Sequence, residues 1–328
     1  MSALSESIQV RILEWYDLEA RDLPWRSNPD PWAVLLSEFV LQQTQMAVGL
    51  AHWHRMMERF PTIESMACSP VDDVLDAWQG CGYYARARNL HALAVEIAAR
   101  DPPLLPSNPQ DLQDLPGIGP YTAAAVSSIV FDYPVAAVDG NIRRVHSRIL
   151  AEEQPKDRNI QIWADESLHQ SRPGDWNQAL MELGATICTP RRPSCGKCPA
   201  EPICLAAKTS EPTKFPKSRK RSSKKIEGHA LVIRTPFGIH LTQRDGPRLG
   251  GLWGVPITED PDGLHALCAN HDVREHRFVG KVRHAFSHRD WHLEVWVVER
   301  SDGGVDPTSV PISRLDERIL ETAGWVRS

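Results

Sequence analysis

Four cysteines constrain this chain more than any other feature: Cys188, Cys195, Cys198 and Cys204 stand in the spacing C-x6-C-x2-C-x5-C, in a stretch rich in proline. A loop so short and so often broken by proline buries little apolar surface, so its thiolates need something to gather around. Four thiolates on one small centre are what tetrahedral zinc or a 4Fe-4S cluster requires. Zinc sites more often present two C-x2-C pairs. A single pair with wider flanking gaps suits a cubane better, because its irons are reached from different directions, so the spacing points to 4Fe-4S with zinc as the alternative. With every ligand position filled by protein, the expected role is structural rather than redox-catalytic. The seven cysteines of the chain are odd in number and unevenly spaced, which argues against a complete disulfide framework. Cys68, Cys81 and Cys268 are left over and are expected to be small buried hydrophobes.

Upstream of this loop the helical period recurs over residues 4–20, 32–60, 71–78, 85–100, 121–131 and 142–150. Pro31 sits near a helix start, while Pro61, Pro102 and Pro103 follow helix ends. Downstream, Lys214 to Lys225 reads KFPKSRKRSSKK, with seven basic residues and no period, the pattern of a linker. Beyond it the texture changes. HALVIRT, a Pro-Phe-Gly turn and IHLTQR read as a β-hairpin, LEVWVVE as a later strand, and 263–270 as a helix. The expected organisation is multi-domain: an all-α domain over 1–213, a basic linker over 214–227, and an α+β domain over 228–328. A length of 328 residues gives each domain enough chain for its own core.

Composition excludes two classes. At 41% hydrophobic and 24% charged residues the chain is not disordered, and no apolar run reaches the roughly 18 residues of a membrane span. The start, MSALSESIQV, lacks a basic then apolar leader, so a cytoplasmic setting and no membrane partner are expected. The net charge of -5 argues at first sight against nucleic acid. By region it is -9 over 1–213, +6 over 214–227 and -2 over 228–328. The basic charge is local: Arg86 and Arg88; Arg143, Arg144 and Arg148; Arg191, Arg192 and Lys197; then the linker. Any one of these clusters alone is ordinarily a solvated face.

Leu115-Pro116-Gly117-Ile118-Gly119-Pro120-Tyr121 lies between a helix ending near Leu112 and one beginning near Tyr121. Gly117 and Gly119 let the backbone turn tightly and present N–H groups at a helix N-terminus, where the dipole favours an anion. This is a helix-hairpin-helix signature, expected over about 112–126, and it grips a phosphate without any cation. Glu38 falls within the apolar stretch 34–41, where burial would raise its pKa and make it a general acid near neutral pH. Asp139 and Asn141 precede the helix from Ile142, where the ordinary role of either residue is an N-cap.

The hairpin, followed by Val138-Asp139-Gly140-Asn141 and the four-cysteine loop, resembles the endonuclease III superfamily of DNA base-excision glycosylases. Leu36-Ser37-Glu38-Phe39-Val40-Leu41-Gln42-Gln43-Thr44-Gln45 and Gly82-Tyr83-Tyr84-Ala85-Arg86-Ala87-Arg88-Asn89 are similar to its MutY branch, the adenine glycosylases. The resemblance covers nearly the whole chain. It implies that Glu38 protonates the adenine ring, that Asp139 stays ionised and stabilises the cationic sugar, and that Tyr121 and Asn141 surround that sugar. This division between a protonated and a charged carboxyl is what glycosidic cleavage demands. It also implies a flipped adenine, with Gln43 and Tyr83 wedged into the stack. Arg86, Arg88, Arg143, Gly117 and Gly119 are then expected to hold DNA.

Superfamily members that also cleave the strand carry a Lys where this chain has Tyr121, so a monofunctional enzyme is expected. The resemblance further implies a C-terminal Nudix-like module, similar to MutT, that reads 8-oxoguanine through Phe286, Ser287 and His288. The Glu-rich Nudix metal pattern is missing, since 263–270 contains no Glu, so nucleotide hydrolysis is not expected. The implied partner is duplex DNA carrying A opposite 8-oxoguanine or G, bound by a nucleoid-associated monomer with a 4Fe-4S cluster. Three rivals are weaker. An endonuclease III-like glycosylase/lyase on oxidised pyrimidines is opposed by Tyr121 and the second domain. A non-catalytic iron-sulfur DNA-binding protein is opposed by Glu38 with Asp139, and a Nudix hydrolase by the missing Glu pattern.

Overall fold

The apolar periods of the first 213 residues fold into helices. In the computed structural model, which describes residues 3–325 apart from 28, 43, 210, 219–222, 247–248 and 287–288, the helices are α1 (Glu6–Glu19), α2 (Pro24–Ser27), α3 (Pro31–Leu41), α4 (Met46–Arg59), α5 (Ile63–Ala67), α6 (Val71–Ala77), α7 (Ala85–Ala98), α8 (Pro109–Gln113), α9 (Pro120–Phe131), α10 (Gly140–Ile149), α11 (Asp157–Glu166), α12 (Pro173–Glu182) and α13 (Leu205–Lys208). The sheet region adds β1 (Lys224–Thr235), β2 (Gly238–Ile239), β3 (Thr242–Gln243), β4 (Trp253–Gly254), β5 (Ile257–Thr258), α14 (Leu264–Asn270), β6 (Arg277–Ala285), β7 (Arg289–Glu299) and α15 (Arg314–Thr322). Among the described residues no helix is long and apolar enough to cross a membrane.

The first compact unit comprises residues 1–49, 62–64 and 92–219. Ile8, Ile12, Leu13 and Tyr16 line one stripe of α1 and pack with Ile142, Val145 and Ile149 of α10, Trp163 of α11, and Trp176 and Leu180 of α12. Cys188, Cys198 and Ala200 lie against the same core, which anchors the four-cysteine loop. α3 is apolar nearly all round and is buried over Trp32–Ser37 and at Phe39 and Val40, leaving Glu38 as its only acid. α9 buries Thr122 through Ser128, mostly small residues that let α3 and α12 come close. Asn177 of α12 donates to Ser128 Oγ (2.9 Å) and Val135 O (2.9 Å) and accepts from Ala137 N (3.1 Å). These bonds fix the extended segment that delivers Asp139.

The second unit comprises 50–61, 65–91 and 220–328. Its main sheet runs β2-β1-β7-β6, with β1 parallel to β7, β7 antiparallel to β6, and β5 also pairing with β1. Alternation sorts the side chains. Ala230, Val232, Leu293, Val295 and Val297 face a core with Leu315, Ile319 and Leu320 of α15. Leu231 and Ile233 point the other way, onto Leu267 and Cys268 of α14.

Several expectations are corrected. The single run 32–60 is two helices, α3 and α4. The linker expected over 214–227 is shorter, because Lys224 to Glu227 already pair with β7, and Lys217 N bonds Glu153 O at 2.8 Å. The boundary between the units does not fall at the linker alone: residues 65–91 join the sheet region through Gln79 Nε2 to Glu317 Oε1 (2.8 Å), Gln243 Nε2 to Asp72 Oδ1 (3.5 Å) and an Arg88 bond to Gly250 O. Cys81 and Cys268 are buried as expected, but Cys68 is exposed.

Candidate active site

Glu38, Tyr121, Asp139 and Asn141 line one cavity of about 380 Å³ in the first unit. Asp30 caps α3 by accepting from Ala33 N (2.9 Å), and Pro31 opens the helix, so a well-fixed apolar helix carries Glu38 to the cavity wall. Protein surrounds the Glu38 carboxyl although the cavity keeps it in some contact with solvent. Burial pushes its pKa up to about 7, aided by the Asp139 charge and opposed by the hydrogen bond from the Tyr121 hydroxyl. That hydroxyl also lies 3.6 Å from Met181 Sδ. Burial and the two carboxylates drive the Tyr121 pKa well above its usual value, so the phenol keeps its proton.

Asp139 is the N-cap of α10. Its Oδ1 accepts from Asn141 N (2.9 Å) and Ile142 N (2.7 Å), and its Oδ2 from Asn141 Nδ2 (2.7 Å). The N-cap reading is therefore correct, and it coexists with a place on the cavity wall. Burial raises the Asp139 pKa, which qualifies the expectation of a simply ionised group, while the donors from Ile142 and Asn141 and the Arg144 charge oppose that rise. Glu38 has only Tyr121 on that side of the balance.

Asn141 Oδ1 accepts from Arg144 Nη2 (2.7 Å), and Arg144 also donates to Gly184 O (2.6 Å) and Cys188 O (2.7 Å). Between α12 and Cys188 the chain widens into a π-helical turn, Leu183–Ile187, a feature frequent at functional sites. This turn presents the Gly184 carbonyl to Arg144. Arg148 donates to Cys188 Sγ (3.3 Å) and Thr189 O (2.7 Å).

The far wall of the cavity is built from residues that the sequence motifs do not include. Glu182, wholly buried, is held bidentately by Arg21 (Nε 2.6 Å, Nη2 2.8 Å) and by Arg26 Nη2 (2.9 Å), and Arg26 Nε reaches Gln178 Oε1 (3.2 Å). Burial works against the charge of Glu182, but the two guanidiniums outweigh it and hold the pKa below the ordinary value. A signal was available: Glu182 leads into the apolar run Leu-Gly-Ala-Thr-Ile-Cys, the setting that singled out Glu38.

In the hairpin, Gly117 has φ 79°, the left-handed region that favours glycine. Gly119 is different. It caps α9 with φ −92°, and among the described residues a Cβ there would meet nothing within 4 Å, so none of them requires a glycine at this position. Ile118, buried between them, ties the turn to the core.

The four thiols of the loop lie near enough for Cys198 to feel the charges of Cys188, Cys195 and Cys204, though burial is the main cause that pushes its pKa up to about 12. Backbone N–H groups of Ala200, and of Ala206 and Ala207, bond to Cys198 and Cys204. Among the described residues no three His, Cys, Asp or Glu side chains converge tightly enough to hold a single metal ion.

In the second unit Tyr83 and Phe286 line one cavity of about 600 Å³. Tyr83 is exposed and has φ 50°, a conformation unusual for so bulky a residue. The Arg86 guanidinium lies 5.3 Å from the ring centres of both Tyr83 and Trp78 and donates to Cys81 O and Gly82 O (3.3 Å each). Arg88 bonds Gly250 O, and Arg143 pairs with Asp157 at 2.5 Å in the first unit. The three arginines expected to hold DNA are thus already engaged, and a phosphate must compete with those partners. Phe286 donates its N–H to Arg289 O (2.7 Å) and packs on His284 and Trp291. Gln43, Ser287 and His288 lie outside the described residues.

Residues 36–167 match the HhH-GPD superfamily of base excision DNA repair proteins. The chain is 40% identical over 372 residues to the human adenine DNA glycosylase, covering 92% of this chain and 68% of that protein. It is 41% identical over 273 residues to the adenine DNA glycosylase of Mycobacterium tuberculosis, covering 80% and 88% respectively. Among solved structures it is similar to a thermostable thymine-DNA glycosylase, with a TM-score of 0.57 at 28% identity over 61% of this chain and 95% of that one.

Proposed function

The chain belongs to the adenine DNA glycosylases of the HhH-GPD superfamily, and on that premise we propose that it releases adenine mispaired with 8-oxoguanine, and more weakly with guanine, by hydrolysis of the N-glycosidic bond of an extruded nucleotide. One observation carries the reading: Glu38 and Asp139 share a cavity in contrasting settings. Glu38, raised to about 7 by burial, holds a proton for the leaving base. Asp139, with three donors on its oxygens, is the better placed of the two to stay charged beside a cationic sugar. Asn141 positions Asp139. Tyr121 puts a phenol where bifunctional relatives carry an amine, so no Schiff base forms and the product is an abasic site.

Glu182, Arg21, Arg26 and Gln178 give the opposite wall fixed polar groups for a purine edge. The space over Gly119 supports the approach of a phosphate to the N-terminus of α9. The thiol set fits a 4Fe-4S cluster. Four sulfurs within Coulomb reach, N–H groups directed at Cys198 and Cys204, and Arg148 beside Cys188 suit thiolate ligands, and the single C-x2-C pair with wide flanking gaps favours a four-iron core over zinc. Cys188, Cys195, Cys198 and Cys204 would hold that cluster, whose part here is to order the loop. The mixed sheet between α14 and α15 is read as a Nudix-like module, and the cavity shared by Tyr83 and Phe286 as the place of the 8-oxoguanine. The protein is taken to act as a monomer.

The test is incubation of the full chain with duplexes carrying A opposite 8-oxoguanine, A opposite G and A opposite T, with and without alkali. Strand breaks should appear only after alkali, fastest for the first duplex and not for the third. Cleavage as fast without alkali, or equal cleavage of all three, overturns the reading.

A further inference from the structure

Tyr121 presents a difficulty for an acid beside it. Its hydroxyl has one hydrogen and sits almost wholly inside the protein, and if that hydrogen rested permanently on Glu38 it would favour the carboxylate, the wrong form for protonating a base. The structure supplies a second acceptor. Met181 of α12 lines the same cavity, with its thioether sulfur 3.6 Å from the Tyr121 oxygen. We propose that Met181 is a positioning residue that receives the Tyr121 hydroxyl hydrogen whenever Glu38 carries its own proton, freeing Glu38 to donate to the leaving base. The change is a rotation about the phenol C–O bond, so no covalent bond is made or broken. A thioether is a weak acceptor. It loses the hydrogen to a carboxylate, and once Glu38 is protonated and that pull is gone, the sulfur at 3.6 Å lets the hydroxyl stay bonded without Glu38.

The charged and titratable groups around Glu38 are few. Tyr121 comes from α9 and Asp139 from the start of α10, and across the cavity stand Arg21, Arg26 and Glu182, which are bonded to one another. None of them offers the Tyr121 hydroxyl an alternative acceptor among the contacts described. Leucine in place of Met181 keeps the bulk and leaves Glu38 as the acceptor. The carboxylate is then favoured, and adenine release fails at lower pH. For a hydrogen bond at the weak end of the neutral range the displacement is about half a pH unit, or roughly threefold in rate on the falling limb.

The inference rests on Glu38 being the acid, and the experiment separates the two. Single-turnover adenine release by the full chain is followed from about pH 5 to about pH 9 for wild type, Met181→Leu, Met181→Gln, Tyr121→Phe and the Met181→Leu/Tyr121→Phe pair. Binding of a duplex with an uncleavable adenosine analogue verifies that each variant is folded. Met181→Leu should move the falling limb to lower pH, and Met181→Gln, which restores an acceptor, should return it. In the Tyr121→Phe background Met181→Leu should move nothing. A Met181→Leu profile that overlays wild type, or an equal shift without the hydroxyl, overturns the role of Met181. A wild-type chain that binds the duplex and releases no adenine at any pH overturns the functional reading instead.

Discussion

Glu182 is the point at which the cavity wall and the stability of the helical unit are most tightly joined. Its side chain is wholly buried and accepts from Arg21 Nε, Arg21 Nη2 and Arg26 Nη2, while the arginine side chains keep 34% and 14% of their exposure. Glu182→Ala leaves two guanidiniums facing each other with no counter-charge, one of them with little water to turn to. Breaking a buried pair from one side costs about 3–5 kcal/mol. Arg26→Met is milder, because Glu182 remains held bidentately by Arg21, and the loss of a charged hydrogen bond is worth about 1.5–3 kcal/mol. The order of costs is the test, measured by urea unfolding followed through tryptophan fluorescence. The sign with pH is also fixed. The folded-state pKa of Glu182 lies below its unfolded value, so its contribution is full above about 4.3 and is lost as pH falls through the folded value. The gap between wild type and Glu182→Ala should therefore close only in acid. A gap under about 1 kcal/mol at neutral pH, or Arg26→Met costing as much as Glu182→Ala, refutes this account of the wall.

Three further outcomes are expected. Gly184→Ala would place a Cβ 2.5 Å from Asn141 Cβ and 3.0 Å from its Cα, forcing Asn141 off Asp139; single-turnover adenine release should fall about a hundredfold. His146→Leu should stabilise the chain by about 1–3 kcal/mol in urea unfolding, because His146 is wholly buried, edge-on to Trp163, with neither ring nitrogen bonded among the described residues. Burial pushes the His146 pKa down to about 4, so wild type also loses stability as pH falls below about 6.5, where the unfolded chain takes up the proton, and the leucine variant should lack that loss. Elemental analysis of the purified protein should find iron and inorganic sulfide in equal amounts without zinc, and Cys198→Ser should lower both; zinc alone would reject the cluster.

The helices with strong apolar periods were legible, α1, α7, α9 and α10 within a few residues of their expected bounds. Glu38 was legible because a lone acid in an apolar run must be buried, and Asp139 because Asp before a helix is an N-cap wherever it also serves. Glu182 carried that same signal, but its pairing with Arg21 and Arg26 was not legible, because it joins residues about 160 positions apart whose geometry is set by α12 packing on α1. The assignment of 65–91 to the sheet unit was hidden for the same reason: the bonds from Gln79 and Arg88 are tertiary, and no local pattern announces them. β6 and α15 were not legible either. The burial of β6 follows no clear alternation, and α15 is a short helix whose apolar positions matter only once a sheet lies beneath them. The engagement of Arg86 with Cys81 and Gly82 carbonyls likewise follows from the turn after α6, not from its basic neighbour.

On this reading Glu38 is a buried acid whose proton makes adenine a leaving group. This role is tested most directly by the pH dependence of single-turnover adenine release from a duplex with A opposite 8-oxoguanine, measured for wild type and Glu38→Gln. The wild-type rate should fall as pH rises through about 7, where Glu38 loses its proton, and Glu38→Gln should bind the duplex and release no adenine. A wild-type rate that stays level well above that pH, or an active Glu38→Gln chain, contradicts the account.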